Sequence, residues 1–310
     1  MSIRIYTHND CLDHRPGSGH PENPERLARI LAQLNAVLPQ PDIDLVDAPM
    51  GTQAQILLAH TEDHWRHINS SVPASGETSL DADTHMSPDS LNAALRAVGA
   101  ACQGVDDLLR DDVQTVFCAT RPPGHHATPT HAMGFCLFNH VAIAALYSRQ
   151  QYNLDRVAIV DFDVHHGNGT QDIMRGREGV FYISTHQSPL YPGTGYESDN
   201  VDFNILNVPL HGGTGHTTYL GAFQEYVLPA LENYNPDLIL VSAGFDAHKL
   251  DPLAGMALTD DTYQWLGATL KQSANTLCDG RLLSVLEGGY NLDVLGGSVL
   301  SYLHGIQHPA

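Results

Sequence analysis

Short apolar runs along the chain alternate with segments whose apolar residues recur at helical spacing. The runs that predict buried strands are 3–6, 116–119, 157–160, 180–184, 204–209, 238–243 and 282–286. The segments with helical spacing are 24–38, 91–109, 140–147 and 219–231. Strands that alternate with helices predict an α/β fold, in which helices cover both faces of a mainly parallel sheet.

Two segments are less regular. Residues 70–90 are polar and rich in Ser, Gly, Asp and Pro, which predicts a long loop. Residues 60–67 form a histidine-rich helical piece without a metal-binding pattern, so we expect these histidines at the surface or in helix caps. Because no linker, composition break or repeat divides the chain, we expect one domain over residues 1–310.

Composition narrows the class of protein. With 310 residues, 42% of them hydrophobic, the chain can bury a large core. A formal net charge of −20 favours cationic partners and disfavours nucleic acid and anionic membranes, although solubility explains it equally well. The five cysteines lack C-x-x-C spacing, and neither a signal region nor an apolar run of 18 residues occurs. We therefore expect a cytoplasmic protein.

The segment 161–170 follows a predicted strand and is densely polar. Strand alternation would put Asp161, Asp163 and His165 on one side of the backbone, if the chain stays extended that far. Taken alone, this segment fits a polar turn as well as it fits half of a metal site.

Three other predicted strands also end in polar residues. His125 and His126, Asp246 and Tyr290 each come shortly after a buried strand. Ligands of open α/β sheets bind outside the carboxyl ends of the strands. The shared position of these residues predicts an active site at this edge.

A catalytic zinc ion takes three protein ligands and keeps one open coordination position. Asp163, His165 and Asp246 can supply the three ligands. Zinc would lower the pKa of a bound water and polarise a substrate carbonyl.

The remaining polar residues suit acid–base roles. His125 and His126 can act as general base and acid, oriented by Asp161 and Asn168. Tyr290 follows two glycines and can reach a developing oxyanion. Alone, the histidine pair also fits an ordinary loop, and Tyr290 fits a core aromatic residue.

Five motifs, in order, resemble the zinc-dependent histone deacetylase superfamily: 121–126, 134–136, 161–170, 243–246 and 287–291. That superfamily includes bacterial histone deacetylase-like amidohydrolases, acetylpolyamine amidohydrolases and acetoin-utilisation proteins. The likeness covers almost the whole chain, and 20–26 is similar to the class II branch. It implies the arginase/deacetylase fold, with a single open, mainly parallel eight-stranded sheet.

The resemblance implies the same zinc ligands, with His126 as the main general base and acid and His125 as an electrostatic partner. Tyr290 would stabilise the tetrahedral intermediate. The substrate-binding residues implied are His20, Pro21, Gly134, Phe135, Tyr191 and Gly289. A structural potassium ion would bind the Ser184 hydroxyl and the backbone carbonyls of Asp161, Asp163, His165 and Thr185.

The expected activity is zinc-dependent hydrolysis of N-acetyl amides, such as acetyl-lysine or related cationic acetylated amines, to acetate and free amine. A dedicated acetylpolyamine deacetylase and a non-catalytic acyl-amine binding module are the alternatives. A binuclear manganese enzyme of the arginase type fits poorly, because the sequence after Asp246 is Ala247-His248 where D-x-D is needed. A homo-oligomer is also compatible with the sequence.

Asn168 departs from part of the family. Class I members have an aspartate at this position, whereas class II members commonly have asparagine. A neutral amide can orient His126 but stabilises its protonated form less than a carboxylate does.

Overall fold

The computed structural model describes residues 2–38 and 42–309, which contain a sheet of eight parallel strands. A separate two-stranded antiparallel hairpin lies between the second and third strands of that sheet in sequence. In chain order the ten strands are β1 Ile3–Thr7, β2 Ile43–Asp47, β3 Thr78–Ser79, β4 His85–Met86, β5 Thr115–Cys118, β6 Val157–Asp161, β7 Val180–Gln187, β8 Ile205–Leu210, β9 Leu238–Ala243 and β10 Leu282–Leu286. The order across the large sheet is β2-β1-β5-β10-β9-β6-β7-β8.

Helices connect the strands and cover the sheet. They are α1 Asp10–Asp13, α2 Pro24–Val37, α3 Gln53–Ile56, α4 Glu62–Ser70, α5 Ser90–Leu109, α6 His140–Tyr152, α7 Asn168–Met174, α8 His216–Ala222, α9 Leu228–Tyr234, α10 Asp260–Leu277 and α11 Leu295–Gln307. A π-helical turn, Phe223–Val227, joins α8 to α9, and a 3-10 turn spans Glu197–Asp199.

Two hydrophobic clusters bury the two faces of the sheet. One includes residues of α2, α10 and α11, and the other includes residues of α5 and α6. Every residue of the central strands β6, β9 and β10 is buried. The predicted α/β sheet with helices on both faces is therefore confirmed.

Several elements differ from the sequence-based expectation. The edge strand β2 was not predicted, because two aspartates interrupt its apolar residues and all five of its residues are exposed or half-buried. Helices α10 and α11 were not predicted either. The segment expected to be a loop over 70–90 contains the β3–β4 hairpin, and the helix expected over 219–231 is interrupted by the π-helical turn.

The expectation of surface histidines in this segment was wrong for His60 and His64, whereas His67 is exposed. His60 and His64 are only 4% and 2% exposed. His60 Nδ1 lies 2.9 Å from the Thr128 carbonyl, and its Nε2 lies 2.9 Å from the Asn139 amide nitrogen. His64 Nε2 lies 2.9 Å from the Leu137 carbonyl. These rings satisfy backbone groups of the loop that follows His126.

The sheet order explains where the polar motifs meet. Strands β5, β10, β9 and β6 are consecutive neighbours and run parallel, so their carboxyl ends lie side by side. The polar segments that follow these strands therefore converge at one edge of the sheet. Within the described residues, no helix has the length and apolar character needed to cross a membrane.

Candidate active site

The segment after β6 turns at once instead of continuing as a strand. Strand β6 ends at Asp161, so simple alternation does not reach His165. The Asp161 Oδ1 accepts a hydrogen bond from the Asp163 N–H at 3.1 Å, and Asp163 Oδ1 accepts one from the His165 N–H at 2.9 Å. These carboxylate-to-backbone turns, rather than an extended backbone, bring the polar side chains together.

Asp163, His165 and Asp246 form a compact buried cluster. Their candidate ligand atoms all lie within 4.8 Å of one another. His165 Nδ1 is 3.1 Å from Asp163 Oδ1 and 3.1 Å from Asp246 Oδ2. Two carboxylates and one imidazole are a donor set that zinc binds in proteins.

The surrounding backbone leaves room for the two carboxylates only because two neighbouring positions are glycine. A Cβ at Gly244 would lie 2.1 Å from Asp163 Oδ2, and one at Gly288 would lie 2.0 Å from Asp246 Oδ2. The Gly288 N–H donates to Asp163 Oδ2 at 2.8 Å, and the Val164 N–H donates to Asp246 Oδ1 at 3.0 Å. The backbone therefore holds both carboxylates in place.

The charges of this cluster favour a bound cation. Burial, and then the nearby Asp163 carboxylate, raise the pKa of Asp246 to about 7. Burial lowers the pKa of His165, but Asp163 and Asp246 outweigh it and raise this pKa to about 10. Two buried carboxylates repel each other, and a divalent cation would relieve that repulsion.

The adjacent histidines have different partners. His125 Nδ1 lies 3.0 Å from Asp161 Oδ2, which also accepts a hydrogen bond from the Tyr182 hydroxyl at 3.0 Å. His126 Nδ1 lies 2.8 Å from Asn168 Oδ1. The structure thus pairs each predicted catalytic histidine with its predicted orienting residue.

Burial and charge separate the pKa values of the two histidines. Burial lowers the pKa of His125, but Asp161 and Asp163 outweigh it and raise the value to about 10. Burial, followed by His125 and His165, lowers the pKa of His126 well below its ordinary value. The rings are only 4.0 Å apart between centroids. The pair therefore combines one strongly basic and one weakly basic imidazole.

Glu287 has a part in the site that the sequence did not indicate. Its Oε2 accepts hydrogen bonds from the N–H groups of Gly124 at 2.6 Å and His125 at 3.1 Å. The side chain is completely buried, and burial raises its pKa to about 7. Glu287 therefore joins the end of β10 to the backbone of the histidine pair.

A cavity of about 200 Å³ opens onto the cluster. Its lining is Asp83, His126, Gly134, Phe135, His165, Tyr191, Leu253 and Tyr290. Three of the predicted substrate-binding residues are in this lining, namely Gly134, Phe135 and Tyr191. Asp83 and Leu253 were not predicted from the sequence.

The other three predicted substrate-binding residues lie outside the lining. The His20 ring packs edge-on against Phe135, with 4.7 Å between centroids, and its Nε2 lies 3.1 Å from the Asp83 carbonyl. The Pro21 carbonyl accepts a hydrogen bond from Asn23, and the Gly289 carbonyl accepts one from Arg26. Their binding role stays a prediction, and in this structure they support neighbouring residues.

The wall at Gly134 requires a glycine. Gly134 has a φ of +55°, and a Cβ there would lie 2.4 Å from the His126 ring. Phe135 also has a positive φ, +68°, and its N–H donates to the buried Thr84 hydroxyl at 3.0 Å. This backbone conformation presents the Phe135 ring to the cavity.

Tyr290 lines the same cavity as His126. Its ring meets Phe135 edge-on at 5.8 Å and lies 4.7 Å from the guanidinium carbon of Arg26. Burial raises the pKa of Tyr290 well above its ordinary value. The hydroxyl is therefore protonated at neutral pH and can donate a hydrogen bond.

The residues predicted to bind potassium are close in the fold. Asp161 pairs with Ser184 in the register of β6 and β7. The Thr185 hydroxyl lies 3.4 Å from the Asp161 carbonyl and 2.6 Å from the Tyr219 hydroxyl, while Ser184 Oγ lies 2.8 Å from His186 Nδ1. The potassium site stays a prediction.

Comparison with known proteins gives one family. The family model described as histone deacetylase domain matches residues 20–306. The chain is 37% identical to the histone deacetylase-like amidohydrolase of Pseudomonas aeruginosa, over 94% of this chain and 78% of that protein. It is 36% identical to the chloroplastic histone deacetylase 14 of Arabidopsis thaliana, over 95% of this chain and 74% of that protein.

Two further comparisons concern a much longer protein and a solved structure. The type-2 histone deacetylase 2 of Dictyostelium discoideum is 36% identical over 94% of this chain, which spans only 20% of that protein. The crystal structure of the HDA15 HD domain is similar with a TM-score of 0.91 and 35% identity. That likeness covers 98% of this chain and 91% of the other.

Proposed function

Because the chain belongs to the histone deacetylase domain family, we propose that it is a zinc-dependent hydrolase of linear N-acetyl amides. Family membership supports deacetylase or amidohydrolase activity in general. The observation that carries the finer proposal is the cavity shared by the metal-ligand residue His165, the neutral base His126 and the protonated hydroxyl of Tyr290. The products would be acetate and a free amine.

We propose that Asp163, His165 and Asp246 hold the zinc ion, since their donor atoms and buried backbone contacts fit it. When bound, zinc would activate the attacking water and polarise the amide carbonyl. Because Asn168 Oδ1 can only accept a hydrogen bond, Nδ1 of His126 carries the proton of the neutral ring. Nε2 is then free to take a proton from water and to pass it to the leaving amine.

His125 and Tyr290 would act through charge and hydrogen bonding. The His125 imidazolium, held by Asp161, places a positive charge beside His126 and keeps the latter neutral until it accepts a proton. The Tyr290 hydroxyl would donate to the amide oxygen as negative charge develops there. The aromatic rings of Phe135 and Tyr191 would flank the methylene chain of the substrate.

Two other functions fit less well. A binding module for acylated amines has no use for a neutral base beside a cationic histidine. An arginase-type site needs ligands for two metal ions, and within 2–38 and 42–309 the one cluster of at least three potential ligands is Asp163, His165 and Asp246. The residue two positions after Asp246 is His248, whose Nε2 lies 4.0 Å from Asp260.

We infer that the substrate is an acetylated, cationic amine, with acetyl-lysine preferred over a dedicated acetylpolyamine. The net charge of −20 and the Asp83 carboxylate in the cavity lining support a cationic substrate. We also propose that residues 1–310 act as one catalytic domain, since β1 and β10 belong to the same eight-stranded sheet. The potassium ion predicted from the family resemblance remains part of this proposal.

The direct test is acetate release from an acetyl-lysine peptide, acetylputrescine and acetylspermidine, before and after metal removal. We expect turnover that a chelator abolishes and stoichiometric zinc restores, with the acetyl-lysine peptide favoured in kcat/KM. Calorimetric binding of the same compounds is the control for a binding module. Tight binding without release of acetate from any compound would contradict the proposed hydrolysis.

A further inference from the structure

A buried carboxylate, Glu22, links two buried guanidinium groups from different parts of the chain. Its Oε1 accepts a hydrogen bond from Arg26 at 3.0 Å. Arg121 donates to both carboxylate oxygens, with 2.7 Å between its terminal nitrogen and Oε2. All three side chains are fully buried. Removing this one carboxylate would leave two buried cations without their shared partner.

Arg26 continues this link to the Tyr290 side of the cavity. It lies in the first turn of α2 and donates through Nε to the Gly289 carbonyl at 2.6 Å and through its other arm to the Glu287 carbonyl. Its guanidinium also stacks against the Tyr290 ring. Residues 287–290 have no regular secondary structure. The Arg26 contacts hold this segment together with Asp251, whose Oδ2 accepts a hydrogen bond from the Tyr290 N–H at 2.7 Å.

Arg121 continues the link to the histidine side. It donates to the carbonyls of Cys11 at 2.7 Å and His14 at 3.2 Å. Arg121 lies in the irregular segment that leads from β5 to His125 and His126. Glu22 is therefore linked, through one arginine each, to the segments that carry Tyr290 and His126, both of which line the cavity.

We propose that Glu22 is a positioning residue for the hydrolysis proposed above, on which this inference rests. Through Arg26 and Arg121, its carboxylate sets the position of the Tyr290 hydroxyl relative to His126. Hydrogen bonding to a developing oxyanion needs accurate placement, and a shift of about 1 Å can lower a rate about 100-fold. Glu22 is not among the residues that line the cavity, so it makes no direct contact with a substrate bound there.

The first test is Glu22→Gln, which keeps the size of the side chain but removes its charge and puts an amide N–H against a guanidinium. We expect kcat to fall about tenfold or more while KM changes by less than about twofold. Glu22→Asp keeps the charge with a shorter reach, and we expect its kcat to lie between those of wild type and Glu22→Gln. This second variant also covers the case in which Glu22→Gln does not fold.

A matched control is Asp107→Asn. Asp107 is another buried carboxylate, bonded to Arg4 at 2.9 Å and to the Tyr6 hydroxyl at 2.5 Å, and it does not contact residues of the cavity. We expect it to lower the thermal midpoint as Glu22→Gln does, but to leave kcat within about twofold. Equal losses of kcat in both variants would overturn the positioning role.

A double-mutant cycle separates positioning from general structural damage. In a Tyr290→Phe background the hydroxyl is absent, so Glu22→Gln should lower kcat by less than about twofold further. Independent, multiplicative losses would overturn the proposal that Glu22 acts through Tyr290.

A spectroscopic readout does not depend on turnover. With 3-fluorotyrosine at position 290, the fluorine signal should shift or broaden in Glu22→Gln and stay unchanged in Asp107→Asn. If the wild-type protein hydrolyses no acylated amine, the proposed function fails while this spectrum still tests the role of Glu22. An unchanged spectrum together with an unchanged kcat in Glu22→Gln would overturn the inference.

Discussion

His126 is held neutral by its surroundings, and Asn168 is the neighbour that limits how readily it accepts a proton. Burial lowers the pKa of His126, and the cationic His125 adds to this effect. The Asn168 amide opposes the shift only through a neutral hydrogen bond of 2.8 Å. The charge at position 168 therefore controls the basicity of the proposed general base.

We predict that Asn168→Asp raises the pKa of His126, because a carboxylate stabilises the imidazolium more than an amide does. The base acts when deprotonated, so kcat/KM is lost as pH falls through its pKa. A higher pKa moves this acidic limb to higher pH. The measurement is kcat/KM against pH at fixed ionic strength and saturating zinc.

Asn69→Asp is the control for this change, because Asn69 is exposed on α4 and the substitution adds the same charge. Its acidic limb should coincide with that of the wild type. An unmoved limb in Asn168→Asp would argue against His126 as the group that titrates.

At single positions, the sequence was informative where a motif combined several chemical groups. Asp163, His165 and Asp246 were chosen as metal ligands from residue type and strand position, and they do lie together. Asp83 and Leu253 carried no comparable signal, because an acid in a polar loop and an isolated leucine fit many environments. His60 was misassigned because burial depends on a loop more than 60 residues later in the chain.

Strands and helices were predictable where an apolar run was long or strictly periodic. Strands β6, β9 and β10 are buried on both faces, so their sequences read as continuous apolar runs. Strand β2 is an edge strand interrupted by two aspartates, so its sequence contains no continuous apolar run. Helix α11 begins Leu-Gly-Gly, and two early glycines obscure a helical pattern.

The close approach of the β10 end to the metal-ligand cluster leads to a prediction for Gly288. In Gly288→Ala the new methyl group would lie 2.0 Å from Asp246 Oδ2 and 2.6 Å from Asp163 Oδ2. One ligand carboxylate must then move, so we expect zinc affinity to fall about 10-fold or more. Zinc per chain after dialysis against a competing chelator measures the effect.

Gly221→Ala provides the comparison for that substitution. A Cβ at Gly221, on α8, would meet no atom within 4 Å. This variant should retain wild-type zinc content and gain slightly in helix stability. Full zinc retention in Gly288→Ala would show that the carboxylates adapt without loss, contrary to the expectation.

For the molecule as a whole, the fold class and the family followed from the sequence, but the order of strands in the sheet did not. Strand β10 inserts between β5 and β9, although it is the last strand in the chain. No local sequence pattern predicts that β10 lies between β5 and β9, since all three strands are apolar runs that are completely buried. The expectation of an eight-stranded sheet came from the family resemblance, which rests on motifs at the strand ends.

Buried neutral histidines give the whole molecule a predictable weakness in acid. His60 satisfies both the Thr128 carbonyl and the Asn139 N–H only as the neutral ring, with the proton on Nδ1. Burial, and then His64, lower the pKa of His60 to about 3, and burial lowers that of His140 to about 4. In the unfolded chain a histidine has a pKa of about 6.5.

These pKa values fix the sign of the pH dependence. Below about pH 6.5 each of these two histidines is protonated in the unfolded chain but not in the folded one, so its contribution lowers the free energy of unfolding as pH falls. Each such histidine contributes up to about 1.4 kcal/mol per pH unit down to its folded pKa. We predict that His60→Gln, which keeps a donor and an acceptor but does not titrate, reduces this slope between pH 6.5 and 4.

Urea unfolding of the metal-free protein at stepwise pH measures the slope without interference from zinc release. His67→Gln is the control, because His67 is exposed on α4, the helix that follows His60 in the chain. Its slope should match that of the wild type. If His60→Gln also left the slope unchanged, acid sensitivity would have to come from other groups. Glu22 is the next to be tested, because burial raises its pKa but Arg121 and other neighbours outweigh burial and lower the net value.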